Sequence, residues 1–490
     1  MAACRRWGWA SSSGRASISA CWHRRTASSS KGEGAVVVMV AHMVAHPCPG
    51  QGDLPVCSPT TWRPAQRRTG MMGDDTQVLI IGAGLAGLAC AVDLHRAGIR
   101  VQVIEAADGA GGRVRSDLID GFVCDRGFQV LLEAYPQARQ RLDYQRLQLG
   151  RFRPGAILMQ AKGRQRRIAD PWRWPWAAVS SLAAPGGLMD KLRVLRMARR
   201  ARRQDLQAAF LDDDGDDHST RQWLEAQGFS ATIIDGFFAP WFGGVFCDRS
   251  LATSARLFRT YYAALSQGSA VLPAGGMGMI PLQLVEALPP GSITYGCRAL
   301  SVSPGQVICA DGHSLAAPII VVATEAPAAA VLLGEAPPPP GVGVRSLWFS
   351  ADDEMRLGPW IALDASGAGP INHLAVPSQV AADYAPPGKQ VVVATALGEH
   401  RRRSDLESAA RQQLRAWFGP QVDRWRLLAD QDIMHAQPRQ LPGDVDKPLR
   451  LRQWQPGCWL IGDHCSQASI DGALASGAAA ARAIAADFSH

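Results

Sequence analysis

A short apolar run, Thr76 to Ile81, gives way at once to Gly82-Ala83-Gly84-Leu85-Ala86-Gly87, after which apolar positions recur at helical spacing through Ala91 and Leu94 until Gly98. A continuous run followed by a 3.6-residue period predicts a buried strand, a glycine turn and a helix. A second run, Arg100 to Ile104, ends on Glu105 and predicts the next strand. Near the far end, Cys458 to Ile461 is another apolar run that delivers Gly462-Asp463, and Ser469-Ile470-Asp471-Gly472-Ala473 opens an alanine-rich helix reaching Asp487. Asp212 to Asp217 is read as an exposed loop leading to a helix capped at Ser219 or Thr220.

Strand, glycine turn, helix, strand and acid in that order form the opening of a dinucleotide-binding βαβ unit. Gly82 permits the sharp turn, Gly84 lets the backbone approach a pyrophosphate, and Gly87 lets the helix pack close to the sheet. Leu85 and Ala86 open the helix whose positive N-terminus faces the diphosphate. Glu105 stands 23 residues after Gly82, in place to accept hydrogen bonds from ribose hydroxyls, and its charge disfavours a 2′-phosphate. A second glycine pair, Gly111-Gly112, followed by Arg113, adds backbone donors and a cation, and the alternative for that stretch is a surface loop. Gly462, Asp463, Gly472 and Ala473 put another strand-delivered carboxylate and another helix start at a ligand edge. An N-cap role is the alternative for Asp463.

Composition sharpens this picture. With 490 residues, 47% of them apolar, 19% charged and a mean hydropathy of −0.05, the chain has material for two or three packed units and is not a disordered or fibrous protein. The net charge of +8 is unevenly placed: residues 1–70 hold nine basic side chains against two acidic, leaving +1 for the other 420. The body is therefore neutral, and no nucleic-acid partner is expected. The Arg-, Ser- and Ala-rich start reads either as an organelle transit peptide or as an extension upstream of a true start at Met71 or Met72, disordered in both cases. A plastid or mitochondrion follows from the first reading, and a bacterial cytoplasm or membrane surface from the second. Eleven cysteines without a CxxC pair, and histidines without metal-ligand spacing, give no ground for a metal site or a disulfide framework.

Together the blocks Val78 to Glu105, Gly111 to Ser116 with Asp125-Arg126-Gly127-Phe128, and Gly462-Asp463 with Asp471-Gly472-Ala473 resemble the amine-oxidase-domain flavoproteins. These include phytoene desaturases, carotenoid isomerases, protoporphyrinogen oxidases and monoamine or polyamine oxidases. Ala274-Gly275-Gly276-Met277 and Ile319 to Thr324 are similar to further family blocks, so the resemblance runs from about Met72 to the C-terminus. It implies FAD as cofactor and an α/β fold: a discontinuous Rossmann-like FAD-binding domain of the GR2 type (72–129, 270–334 and 447–490) with an inserted α+β substrate domain (130–269 and 335–446). It also implies that Tyr295 to Val302 is the strand whose backbone meets the adenine, near Ala299. Gly127 to Leu131 and Phe238 to Phe246 look closer to the phytoene-desaturase and protoporphyrinogen-oxidase branch. The amine oxidases keep a lysine beside the flavin, and the most similar segment here, Gly341 to Ser350, has Arg345.

Trp172, Trp174 and Trp176 precede Lys191 to Arg203, which holds seven cations and no acid. On a helix Arg193, Arg196, Arg200 and Arg203 share one face opposite Val194, Met197, Ala198 and Ala201. That pattern reads as a peripheral membrane contact or, alternatively, as core tryptophans beside a solvated basic face. No apolar run is long enough to span a bilayer.

The expectation from the resemblance is an FAD-dependent oxidoreductase taking hydride from an apolar, conjugated substrate, a carotenoid or other isoprenoid before a tetrapyrrole, with oxygen or a quinone as electron acceptor. Amine oxidation on the same fold, a non-redox flavin-dependent isomerase and a non-catalytic flavin-binding factor are the alternatives. No catalytic side chain stands out, and the chemistry is assigned to the cofactor.

Overall fold

The computed structural model describes residues 7–8, 17–18, 76–160, 163–170, 173–174, 185–206, 210, 217–352, 355–444 and 452–488. The chain divides into two units, residues 1–62 and 63–490. Of the first unit, and so of the expected leader, the described residues are Trp7–Gly8 and Ser17–Ile18, which pair as antiparallel two-residue strands.

In the second unit the chain runs through β1 (Val78–Ile81), α1 (Leu85–Arg96), β2 (Val101–Glu105), β3 (Gly155–Met159), β4 (Gln165–Ala169), α2 (Leu188–Ala201), α3 (Ala239–Phe246), β5 (Ile293–Tyr295), β6 (Ala299–Ser303) and β7 (Ile319–Val322). It continues through β8 (Val342–Ala351), β9 (Ile361–Asp364), β10 (Ile371–Ala375), β11 (Gln390–Leu397), β12 (Arg426–Gln437), β13 (Arg452–Gln455), β14 (Cys458–Leu460) and α4 (Ile470–Asp487). Among the described residues, one sheet has the order β5-β2-β1-β7-β14-β13, parallel except at its β13 edge. Its strands come from three separated stretches of chain. The second sheet, β4-β3-β9-β10-β11-β8-β12, is antiparallel except where β3 meets β9.

The central strand β1 is apolar throughout because the parallel sheet is covered on both faces. Val78 and Ile80 pack with α1 and α4, while Leu79 and Ile81 face the opposite layer, built from β6, its hairpin partner and the helix Ala326–Leu333. The predicted strand Tyr295 to Val302 is two strands. β5 runs parallel to β2, with Tyr295 beside Glu105, and β6 enters a separate three-stranded sheet. The break falls at Gly296, whose φ of +71° turns the chain where the Gly296 and Cys297 N–H groups donate to the Ala107 and Glu105 carbonyls. A small sheet of Leu131–Leu132, Gly150–Arg151 and Ala270–Leu272 combines residues from both expected domains.

Asp125 gathers three distant parts of the chain. Its buried carboxylate accepts from Ser116 Oγ (2.5 Å), Met277 N (2.9 Å) and Tyr384 Oη (2.7 Å). The loop Ala274 to Met277 is thereby seated on the hairpin Ser116–Asp125, where Gly276, at φ +93°, leaves no room for a Cβ beside Ser116 Oγ and Val123.

α1 and α4 cross in backbone contact: a Cβ on Gly477 would stand 2.1 Å from the Ala86 carbonyl oxygen. Gly477→Ala therefore has to push two buried helices apart, at an expected cost of about 1–3 kcal/mol. Gly187→Ala, where φ is −77° and the space is open, should change stability by less than about 1 kcal/mol. Urea denaturation of both variants checks this, and equal midpoints would contradict the packing described.

Candidate active site

One cavity of about 1050 Å³ runs from the glycine turn after β1 into the space beside the second sheet. At its first end, Gly82 (φ +106°) turns the chain under the Ala323 carbonyl and Gly87 abuts the Gly82 carbonyl oxygen, so α1 starts immediately behind the turn. A Cβ on Gly84 would meet no atom within 4 Å, which leaves the backbone open on the cavity side. Glu105 orders this end: its Oε2 accepts from Ala83 N (2.7 Å) and its Oε1 from Ala107 N (2.8 Å). Remaining carboxylate lone pairs are available to hydroxyl donors. The Thr324 hydroxyl at the end of β7 lines the same end, buried and without a hydrogen-bond partner. An open turn, a helix N-terminus, a carboxylate and an unsatisfied hydroxyl suit a dinucleotide.

Of the residues singled out in the sequence, Gly82, Gly84, Leu85, Ala86, Glu105, Gly111, Gly112, Arg113, Ala299, Gly462, Asp463 and Ala473 line the cavity. Gly87 and Gly472 lie behind its wall. Gly87 packs on Gly82, and Gly472 sits where a Cβ would stand 1.9 Å from the Gln467 carbonyl oxygen while its N–H donates to Ser469 Oγ. Asp471 serves structure, accepting from Gln137 N (2.7 Å) and Ala138 N (3.0 Å) at the start of the helix Pro136–Arg141. Arg113 and Asp463 are joined: Arg113 Nη2 donates to Asp463 Oδ1 at 2.7 Å and Nη1 to the Ala436 carbonyl at 3.0 Å. Burial opposes the charge on Asp463, but the adjacent guanidinium outweighs it and holds the carboxyl well below the usual range. The pair is a fixed dipole on the cavity wall.

The second end was not legible as a site in the sequence. Phe128, Phe152, Trp241, Phe242, Ile361 and Leu363 contribute an apolar lining, with Gly244 of α3 making way for His373 of β10. His373 is buried 5.4 Å from Phe128, ring centre to ring centre. Asn372 Nδ2 donates to the Pro240 carbonyl, which fixes the amide orientation. The same nitrogen therefore donates to His373 Nδ1 at 3.1 Å, and the ring proton sits on Nε2. Burial pushes His373 down to about 4, so the ring is neutral at physiological pH.

One expectation needs correcting. Arg345 does not reach the cavity: strand alternation turns Val344 inward and Arg345 outward, where it makes a bidentate pair with Asp430 at 2.6 Å. Of the two readings of the tryptophans, Trp174 fits the core one: it stacks on Trp360 (centroids 5.1 Å apart, planes 8° apart) under the Arg153 guanidinium. Trp172 and Trp176 lie outside the described residues, as do Asp212 to Asp216. Among the described residues no cluster of metal-ligating side chains occurs, and no helix is long and apolar enough to cross a membrane.

The family model for flavin containing amine oxidoreductases matches residues 85–485. Protoporphyrinogen oxidase 2, chloroplastic/mitochondrial, of Arabidopsis thaliana is 39% identical over 67 residues, 14% of this chain and 13% of that one. Hydroxyneurosporene desaturase of Rhodobacter capsulatus is 45% identical over 60 residues, 12% of each chain. The match thus spans only about an eighth of those relatives' lengths. A solved oxidoreductase from Methanosarcina mazei superposes with a TM-score of 0.65, covering 82% of this chain and 99% of its own at 17% identity, a likeness of fold.

The neutral His373 has a measurable consequence. Between about pH 6.5 and 4 the unfolded chain binds a proton that folded His373 does not, so this residue's contribution to stability falls as the pH falls, by up to about 3 kcal/mol. Asp125 and Asp471, both pushed up to about 6 chiefly by burial, act in the opposite sense over part of that window. The difference between parent and His373→Gln isolates the histidine: unfolding free energy followed against pH should lose this component in the variant. Parallel curves would show that His373 titrates normally.

Proposed function

The chain belongs to the flavin containing amine oxidoreductase family and is an FAD-dependent oxidoreductase, and from that premise we propose that it removes hydride from an apolar, conjugated substrate of the carotenoid, isoprenoid or tetrapyrrole kind. The observation that carries this reading is the continuity of the glycine-lined cradle with an aromatic and aliphatic chamber in one cavity. Bound FAD supplies hydride acceptance and returns the electrons to a second substrate.

We assign the diphosphate to Gly82, Gly84, Leu85, Ala86, Gly111, Gly112 and Arg113, the adenosine ribose to Glu105 and the adenine edge to Ala299. Gly462, Asp463 and Ala473 border the rest of the cofactor, with Gly87 and Gly472 letting the two helices approach it. On the substrate side, the chain's part is to position a flat apolar molecule and keep water away while neutral His373 offers Nε2–H as a polar contact.

The same wall argues against an amine. Arg153 and Arg173 line it, and the chamber's carboxylate, Asp170, is already paired with Arg202. Among the described residues that line this end, a polyamine would meet two guanidiniums and no unpaired carboxylate. Those arginines favour, as a second reading, a substrate that carries a carboxylate on an otherwise apolar body.

The visible spectrum of the purified protein tests the premise, and absence of flavin bands after FAD addition would overturn it. Anaerobic mixing with a polyene, protoporphyrinogen and putrescine should then bleach the flavin with one of the first two. Bleaching by putrescine alone would reverse the substrate reading, and turnover at constant substrate mass would mean an isomerase. Glu105→Gln replaces one acceptor oxygen by a donor that faces the backbone N–H groups of Ala83 or Ala107. FAD should be held more weakly by about 1–3 kcal/mol, read from fluorescence titration of the apoprotein.

A further inference from the structure

We propose that the outward face of α2 is a docking surface for an anionic lipid bilayer. At 100° per residue, Leu188, Leu192, Leu195, Arg196, Arg199 and Arg203 fall on one side of this helix, with Met189 and Arg200 at its margin. The side is divided along its length. The first two turns expose Leu188 (70%), Met189 (60%), Leu192 (49%) and Leu195 (37%), four of the ten large apolar side chains that the described residues leave exposed. From its middle onward the helix and its continuation expose Arg196, Arg199, Arg200 and Arg203, none of which has an acidic partner among the described residues.

The opposite side leaves no doubt about which way the helix faces. Val194 and Met197 pack into the cluster around Phe238, Phe242 and Phe258. The one acid of the helix, Asp190, is buried and pins the first turn from within, accepting from Gly187 N (2.9 Å), Ser230 N (2.9 Å) and Ser230 Oγ (2.7 Å). The leucines are thus not spare core, and the arginines are not neutralised from behind. An apolar stripe beside a cationic one is the composition of a helix lying in a headgroup layer, with leucines among the acyl chains and guanidiniums on lipid phosphates. A second copy of the chain fits less well, because a symmetric contact over this face would bring two sets of four arginines together.

Continuity with the cavity gives the surface a purpose. Val194, Leu195 and Ala198 of α2 also line the chamber, with Tyr262 and Leu265 across from them, so Leu195 belongs to both surfaces. An apolar substrate could pass from lipid to chamber beside this helix. That step rests on the substrate reading given above, whereas the docking itself does not.

Flotation of the full-length protein with vesicles tests the proposal. The protein should float with vesicles of equal parts phosphatidylglycerol and phosphatidylcholine at low ionic strength, several-fold less with phosphatidylcholine alone, and several-fold less in high salt. Leu188→Asp combined with Leu192→Asp, both at exposed positions, should reduce flotation at least tenfold with flavin spectrum and melting temperature unchanged. Arg196→Gln with Arg199→Gln and Arg203→Gln should abolish the preference for anionic vesicles. Parent protein that stays at the bottom of the gradient with anionic vesicles overturns the proposal, as does a leucine variant that floats like the parent. A parent dimer that the leucine variant converts to monomer would assign the face to a second copy instead. A protein that floats without flavin would keep the docking surface and lose the functional premise.

Discussion

Two close approaches of backbone to backbone fix the helix on which the cradle is built. A Cβ on Gly87 would stand 2.1 Å from the Gly82 carbonyl oxygen, and one on Gly477 would stand 2.1 Å from that of Ala86. α1 is therefore clamped between the turn it leaves and the C-terminal helix, and neither contact tolerates a side chain. The clamp brings the N-terminus of a helix from residue 85 to within reach of a sheet completed only by residues 458–460. Everything at the cradle follows from it. The Glu105 carboxylate can hold Ala83 and Ala107 at once only because β1 and β2 end together, and Gly111 closes on the same turn through its N–H to the Ala83 carbonyl.

Several buried charges around this frame have their partner in place. Arg113 and Asp463, 350 residues apart, neutralise one another on the cavity wall, and Arg141 reaches Asp93 at 2.7 Å where the helix Pro136–Arg141 meets α1. Asp125 is held in another way. It has no cation, but three donors converge on it, and burial raises it to about 6 despite them. A carboxyl kept at that cost links the hairpin 116–125, the loop 274–277 and Tyr384. Its hydrogen bonds fix a register that apolar packing alone would leave free to slide.

How much of this was legible in the sequence depended on whether the signal was local. The βαβ opening was read from one continuous stretch, because turn, helix period and acid all lie within Val78 to Glu105. The chamber was not, for a physical reason: Ile371 to Ala375 is buried at every position, so β10 shows no alternation that would set His373 apart as a wall residue. Arg345 and Val344 show what one position means in a strand: Val344 lines the cavity, and Arg345 faces outward to Asp430. Trp174 was ambiguous because a tryptophan beside basic residues suits an interface and a core equally well, and only its stack on Trp360 decides between them. The long strand at Tyr295 to Val302 concealed a break that a single glycine imposes.

Most of the charged side chains that line the cavity stand toward its two ends. Glu105, Arg113, Arg298, Asp463 and Glu325 border the cradle, Arg126 lies beside Gly127 paired with Asp117, and Arg153, Arg173 and the Asp170–Arg202 pair border the chamber on the side of α2. Between them burial holds His373 and Cys247 neutral, lowering the first to about 4 and raising the second to about 12. A neutral middle section has little to gain from water and favours an uncharged molecule lying across it. Charge transferred within such a section is stabilised by dipoles already in place, because few solvent molecules are there to reorient. The separation of ends from middle is a product of the fold: the cradle charges come from loops at the edge of the parallel sheet, whereas the middle is faced by Trp241, Phe242 and Val245 of α3 and by the uncharged His373 of β10 and Thr395 of β11. The two sheets thus differ in what they bring to the cavity, charged loop residues from one and a largely uncharged wall from the other.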